Sequence, residues 1–269
     1  MVKIEEIPNK SIKLTLPTFI CDGALRGTHH TPTKPCPNHH FYWVFSGTAG
    51  SGKTSLAVGL LKNKKIYKGV FDNVIVLMPI HSLTSLKSNP FKRLHHSKVF
   101  HELDYNNLLQ IYEMVQDWAE EEQNTLLFID DMASGLKDYE LKKLFNLLIQ
   151  NRRHLRLSVM NCVQRLNAIP LDNRKLITHL SQFHMSNRKE WNNLCEELIF
   201  YPLHVMEAVK KRVFKKKGDF LLVDTERNQL YNKFNLLKII SGDTIDATKE
   251  KENKTKAEAE AAPNSPCNR

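Results

Sequence analysis

The stretch Gly47-Thr48-Ala49-Gly50-Ser51-Gly52-Lys53-Thr54 fits the phosphate-binding pattern G-x-x-x-x-G-K-[ST] at every fixed position. Its glycines let successive backbone N–H groups turn inward around phosphate oxygens, and the following helix presents its positive end to them. Gly47 through Ser55 are therefore expected to contact a nucleoside triphosphate, with Lys53 reaching its β and γ phosphates and Thr54 ligating Mg²⁺. The surroundings agree. Phe41-Tyr42-Trp43-Val44-Phe45 reads as a buried strand and Ser55 to Leu61 as an apolar helix, so strand, loop and helix follow in the required order. That order separates the pattern from an ordinary glycine turn with an exposed lysine.

Working outward, 269 residues with 41% hydrophobic and 25% charged side chains suffice for one well-buried core and a short extension. The expected organisation is an N-terminal strand and loop over 1–40, an ATPase domain over 41–240 and a disordered tail over 241–269. Ser11 to Leu16 alternates as an edge strand does, and the tail holds almost no large apolar residue to bury. No apolar run approaches the roughly 20 residues that span a bilayer, and the N-terminus lacks a secretory pattern. A soluble, intracellular protein with no membrane contact is expected. Five scattered cysteines argue against a disulfide framework. Cys21, His29, His30, Cys36, His39 and His40 share one loop, but no C-x₂₋₄-C pair occurs there, which weighs against structural zinc.

The chain carries 39 Lys and Arg against 29 Asp and Glu, a net charge of +10. Attraction to a polyanion follows, with nucleic acid the obvious partner. Lys210-Lys211-Arg212 and Lys215-Lys216-Lys217 form the densest basic run, suited to phosphate contacts or to a plain charged helix end.

Val74 to Met78 and Thr125 to Ile129 are continuous apolar runs, as expected of strands buried on both faces of a parallel sheet, while 80–106 reads as irregular. Leu108, Ile111, Tyr112, Val115 and Trp118 recur at helical spacing, as do Leu141, Leu144, Phe145 and Leu148. Leu155–Val163, Thr178–Met185 and Phe220–Val223 read as further strands, and 188–198 as a helix. This alternation indicates an α/β fold with a mainly parallel sheet flanked by helices.

The strand Leu126-Leu127-Phe128-Ile129 ends in Asp130-Asp131, the arrangement a Mg²⁺-dependent hydrolase needs beside its phosphate loop. Asp130 is expected to hold the metal with Thr54, and Asp131 to polarise the attacking water as general base. A helix cap is the competing reading of Asp131. Gln164 ends the next strand, where its amide can face the γ-phosphate.

With these motifs, Arg153-His154, Ile169-Pro170 and Arg174, the chain resembles the poxvirus-type genome-packaging ATPases, a branch of the FtsK-HerA superfamily found in large DNA viruses and virophages. The resemblance covers about residues 10–240. It implies a RecA-like P-loop NTPase of the additional-strand class, hydrolysing ATP with Mg²⁺. It further implies a homo-oligomeric ring of five or six subunits that threads double-stranded DNA into a preformed capsid, contacting capsid or portal-like vertex proteins. The location it implies is the host cytoplasm or a viral factory, or association with the virion. On this likeness Asp131 activates water, Gln164 senses the γ-phosphate, and an arginine from the neighbouring subunit completes the site. Arg153 is the favoured arginine, with Arg174, Arg152 and Arg165 as alternatives. The chain departs from the family in having Arg152 where Gly is common, and Asp131 where many superfamily members carry Glu. A small-molecule kinase, or a nucleotide switch with little turnover, are the competing functions. The paired acids favour water as acceptor over the first, and intact Lys53, Asp130 and Asp131 weigh against the second.

Overall fold

In the computed structural model the described residues are 23–25, 30–85, 89–132, 136 and 138–239. The expected strand at 11–16, Cys21, His29 and the tail from 241 lie outside them. A nine-stranded sheet runs through the molecule in the order β3-β2-β4-β5-β1-β6-β7-β8-β9. Its strands are β1 (Tyr42–Ser46), β2 (Asn73–Leu77), β3 (Val99–Phe100), β4 (Thr125–Asp130), β5 (Leu157–Val163), β6 (His179–Phe183), β7 (Phe220–Asp224), β8 (Gln229–Asn232) and β9 (Asn235–Leu236). The strands from β3 to β6 are mutually parallel, and β7, β8 and β9 are added antiparallel. Strand β5 lies between β1, which feeds the phosphate loop, and β4, which ends in the acids. That interposed strand is the additional strand the sequence resemblance implies.

Period-two alternation explains why the parallel strands read as unbroken apolar runs. Tyr42 and Val44 of β1, with Leu127 and Ile129 of β4, pack on one face against α3 (Tyr105–Glu120), α4 (Tyr139–Gln150), α6 (Arg188–Leu198) and α7 (Leu203–Val213). Trp43 and Phe45, with Leu126 and Phe128, pack on the other face against α1 (Lys53–Lys62). Trp43 is fully buried and stacks on Phe45 at 5.1 Å between ring centroids. Two short helices, α2 (Ile80–Ser85) and α5 (Leu171–Arg174), complete the α-helices among the described residues.

The described residues of the stretch 80–106 hold more regular structure than its polarity suggests. It holds α2, two 3₁₀ turns and β3, a strand of two residues paired to β2 through Val76 and Val99. Elements this short carry too few residues to show a period. The apolar run at 220–223 is β7, which pairs antiparallel with β6 and leads into β8 and β9. No helix among the described residues is long and apolar enough to cross a membrane.

Candidate nucleotide site

The registers of the central strands bring the site to one edge of the sheet. Ser46 is level with Val163 of β5 and Gln182 of β6, while Asp130 is level with Cys162. The phosphate loop leaves β1 at this edge, the carboxyl ends of the parallel strands, where ligands collect in doubly wound folds. Its close packing is visible at Gly47, whose N–H donates to Val163 O at 3.2 Å. A Cβ placed there would meet Phe183 Cβ at 2.6 Å. Gly52 adopts φ +106° as the loop enters α1, a conformation that side chains resist.

Helices α3, α4 and α6 begin on Asp104, Asp138 and Asn187, whose side chains accept from first-turn N–H groups. Helix α1 begins on Gly52 and has no side-chain cap. Its first N–H groups are thus left for an anion, as the loop chemistry requires. The cap of α4 is Asp138, accepting from Leu141 N at 2.8 Å, so Asp131 does not cap that helix.

Lys53 is buried, and its ammonium donates to Gly47 O at 2.7 Å and Thr48 O at 3.0 Å. These bonds fold the lysine back under the loop it would share with a phosphate chain. Thr54 Oγ1 donates to Asp130 Oδ1 at 2.9 Å, and Gln164 Nε2 donates to Asp131 Oδ2 at 2.8 Å. Asp131 N donates to Cys162 O at 3.0 Å with φ +56°. Asp tolerates this left-handed conformation better than most residues. It turns the chain at the strand end and brings the second carboxylate over to Gln164. Burial raises the Asp130 carboxyl above its ordinary value, the Asp131 charge adds to the rise, and bonds from Thr54 and the Cys162 thiol with the charge of Lys53 oppose it. Cys162 keeps its proton, because burial and the neighbouring Asp130 charge push its thiol well up.

These groups suit a metal-bound polyphosphate. The Thr54 hydroxyl and the Asp130 carboxylate are hard oxygen donors of the kind Mg²⁺ takes. Ser51 Oγ is buried in the loop with no hydrogen-bond partner among the described residues, as fits a group that binds a phosphate oxygen or its hydration.

Two clefts open on the loop. One, of about 280 Å³, is lined by Gly47, Thr48, Gln164, Arg165, Gln182 and Glu190 among others. The other, of about 440 Å³, runs from Thr48–Ser51 to Phe183, His184, Phe214 and the turn Lys215–Gly218. The sequence reading missed Gln182, Glu190 and the position of this turn. Gln182 did carry a signal, as an amide inside an apolar strand; it donates to Ser46 O and Phe183 O and braces the end of β1.

The arginine candidates separate. Arg165 lies beside its own phosphate loop. Arg174 is held within its chain, Nε 3.0 Å from Glu197 Oε2 and bonded to Asn167 Oδ1 at 2.7 Å. Arg152 is half-buried and donates to Ile149 O at 3.2 Å. Arg153 is exposed on the turn before β5, at the opposite end of the sheet from its own loop. Of the residues in the histidine-rich loop, His30 Nε2 lies 3.1 Å from Ile66 O. Cys36 is buried, which pushes its thiol up to about 12. No three His, Cys, Asp or Glu among the described residues are grouped to hold a metal.

Residues 33–222 match the family described as Poxvirus A32 protein. No curated protein matches the chain. Among solved structures, the DNA-packaging ATPase B204 of Sulfolobus Turreted Icosahedral Virus superposes with a TM-score of 0.55 at 16% identity, covering 75% of this chain and 98% of that one. The genome packaging NTPase B204 of Sulfolobus turreted icosahedral virus 2, in complex with ATP-gammaS, gives the same figures. ATPases 2 and 3 of EssC from Geobacillus thermodenitrificans align over 83% of this chain and 45% of that one, with a TM-score of 0.52 at 12% identity. At such identities these likenesses establish a shared fold.

Proposed function

This chain belongs to the poxvirus A32 protein family, and from that premise we propose that it is an ATP-hydrolysing motor that moves double-stranded viral DNA into a preformed capsid. The observation that carries the reading is the line of bonded pairs at the loop, Thr54 to Asp130 and Gln164 to Asp131. It sets two hard oxygen groups suited to a metal and a candidate base side by side at the end of one strand. The structural relatives, described as genome-packaging NTPases and in one case bound to ATP-gammaS, support the same assignment.

In this reading Gly47 to Ser55 wrap the phosphate chain with backbone N–H groups, and Lys53 exchanges its carbonyl partners for phosphate oxygens. Thr54 and Asp130 would hold Mg²⁺, which would supply charge neutralisation on the phosphates. Asp131 accepts a proton from the attacking water, and Gln164 positions that carboxylate and reports whether the γ-phosphate is present. Arg153, remote from its own loop, is assigned to a neighbour's site in a homo-oligomeric ring of five or six copies. Capsid or vertex proteins are the further partners, in the host cytoplasm or a viral factory.

The test is steady-state ATP hydrolysis with and without duplex DNA, using Lys53→Ala as background. Stimulation by DNA is expected. Hydrolysis indifferent to DNA would overturn the motor, and no hydrolysis in any assembly state would favour a nucleotide switch. For Arg153, mixing Arg153→Ala with Lys53→Ala subunits should recover activity that neither has alone, since each supplies what the other lacks. No recovery removes Arg153 from the site.

A further inference from the structure

The basic turn Lys215-Lys216-Lys217 reads in the sequence as a surface for DNA phosphates, yet the fold sets it against the phosphate loop. Strand β6 lies next to β1, and β7 pairs antiparallel to β6, so the turn that enters β7 comes up at the sheet edge that holds the site. The turn is built rather than loose. Asp219 Oδ2 accepts from Lys215 N at 3.0 Å and Lys216 N at 2.8 Å, and its Oδ1 lies 3.0 Å from Lys233 Nζ. Gly218 closes it at φ +86°.

Lys217 Nζ stands 3.9 Å from where a Cβ on Gly50 would be, which places a cation directly beside the loop. Its ammonium has no hydrogen-bond or ion-pair partner among the described residues. The 440 Å³ cleft behind it has an aromatic side, with Phe214 edge-on to His184 at 5.7 Å between centroids. This cleft shares Thr48–Ser51 with the site but contains neither Asp130, Asp131 nor Gln164. If the γ end of a nucleotide is drawn to the acid side, its base must leave by the other flank, and its α-phosphate then passes Gly50. A pocket with an aromatic wall and a cation at its mouth suits that end of the molecule.

Resting on the nucleotide-site reading above, we propose that Lys217 binds the α-phosphate of the nucleotide from the same subunit, and that the cleft walled by Phe214 and His184 receives the base. The turn locked by Asp219 and Lys233 thus acts as a nucleotide clamp rather than a DNA contact. It supplies a second lysine to the phosphate chain, at Gly50.

The test compares ADP and inorganic pyrophosphate by calorimetry on the full chain, with duplex DNA binding measured in parallel. Pyrophosphate occupies the Lys53 end without a base or an α-phosphate. Lys217→Gln is expected to raise the Kd for ADP about tenfold, the loss of one charge-assisted hydrogen bond. Lys217→Arg should restore it, and Phe214→Ala should weaken ADP likewise. Pyrophosphate affinity should stay unchanged in all three, which also shows that the variants are folded. An unchanged Kd for ADP in Lys217→Gln overturns the proposal, whether or not DNA affinity falls, and so does a loss that Lys217→Arg does not restore. Equal weakening of pyrophosphate overturns the α-phosphate placement. If Lys53→Ala leaves pyrophosphate binding intact, the underlying site assignment fails, an outcome distinct from failure of the clamp.

Discussion

The two flanks of the phosphate loop are built on different plans. The acid flank is a row of strand ends, where Asp130, Asp131, Cys162 and Gln164 are joined by bonds through neighbouring parallel strands. The basic flank is a turn from the antiparallel end of the sheet, where Lys215 to Lys217 face the loop with no hydrogen bonds joining their ammonium groups to it among the described residues. One flank has its donors and acceptors matched to each other. The other presents ammonium groups with no partner among the described residues. The first arrangement suits chemistry, which needs fixed geometry, and the second suits a ligand that brings the missing charge.

The sharpest way to break this contrast is Asp131→Asn, which should lower ATP turnover by about 10²–10⁴ while sparing nucleotide affinity, as expected on losing a general base. Single-turnover hydrolysis beside equilibrium ADP binding measures both; turnover within a few-fold of the parent would remove Asp131 from the role. Lys53→Ala sits between the flanks and should damage both, lowering turnover about 10²–10³ and weakening binding as well. Gln164→Ala is expected to cost on the order of tenfold in turnover, the worth of one bond that positions a carboxylate. Its nucleotide affinity should be close to that of the parent, and a loss confined to affinity would place Gln164 on the binding side.

The smallest effect concerns Asp130 in the protein without nucleotide. Burial holds its carboxyl above the ordinary range, so folding favours the protonated form. Its contribution to stability is full below the ordinary carboxylate pKa and is lost as pH rises through the folded value. Asp130→Asn should therefore melt higher than the parent near neutral pH, by about 2–4 °C for each kcal/mol recovered, although it should lose Mg²⁺-dependent nucleotide binding. Thermal melts at two pH values check the sign, since the difference should shrink as pH falls. A lower Tm at neutral pH would mean that the Thr54 bond outweighs the burial cost.

By itself the sequence determined the α/β class, the phosphate loop, the acid-ended strand and Gln164. These lie in short segments where local pattern and chemistry coincide, so that Gly52, Lys53 and Asp130 announce their surroundings within a few residues. The mainly parallel sheet followed from alternation and the additional-strand class from resemblance, while the order of the strands came from the structure. The tertiary structure decided what depends on register and crossing: that Arg174 is bound to Glu197, that Arg165 lies at its own loop while Arg153 lies far from it, and that Gln182 braces β1. It also decided that Lys217 stands beside Gly50. Charge in a sequence states how strongly a segment attracts anions, whereas which anion it meets is fixed by the pairing of β7 with β6, a contact between residues distant along the chain.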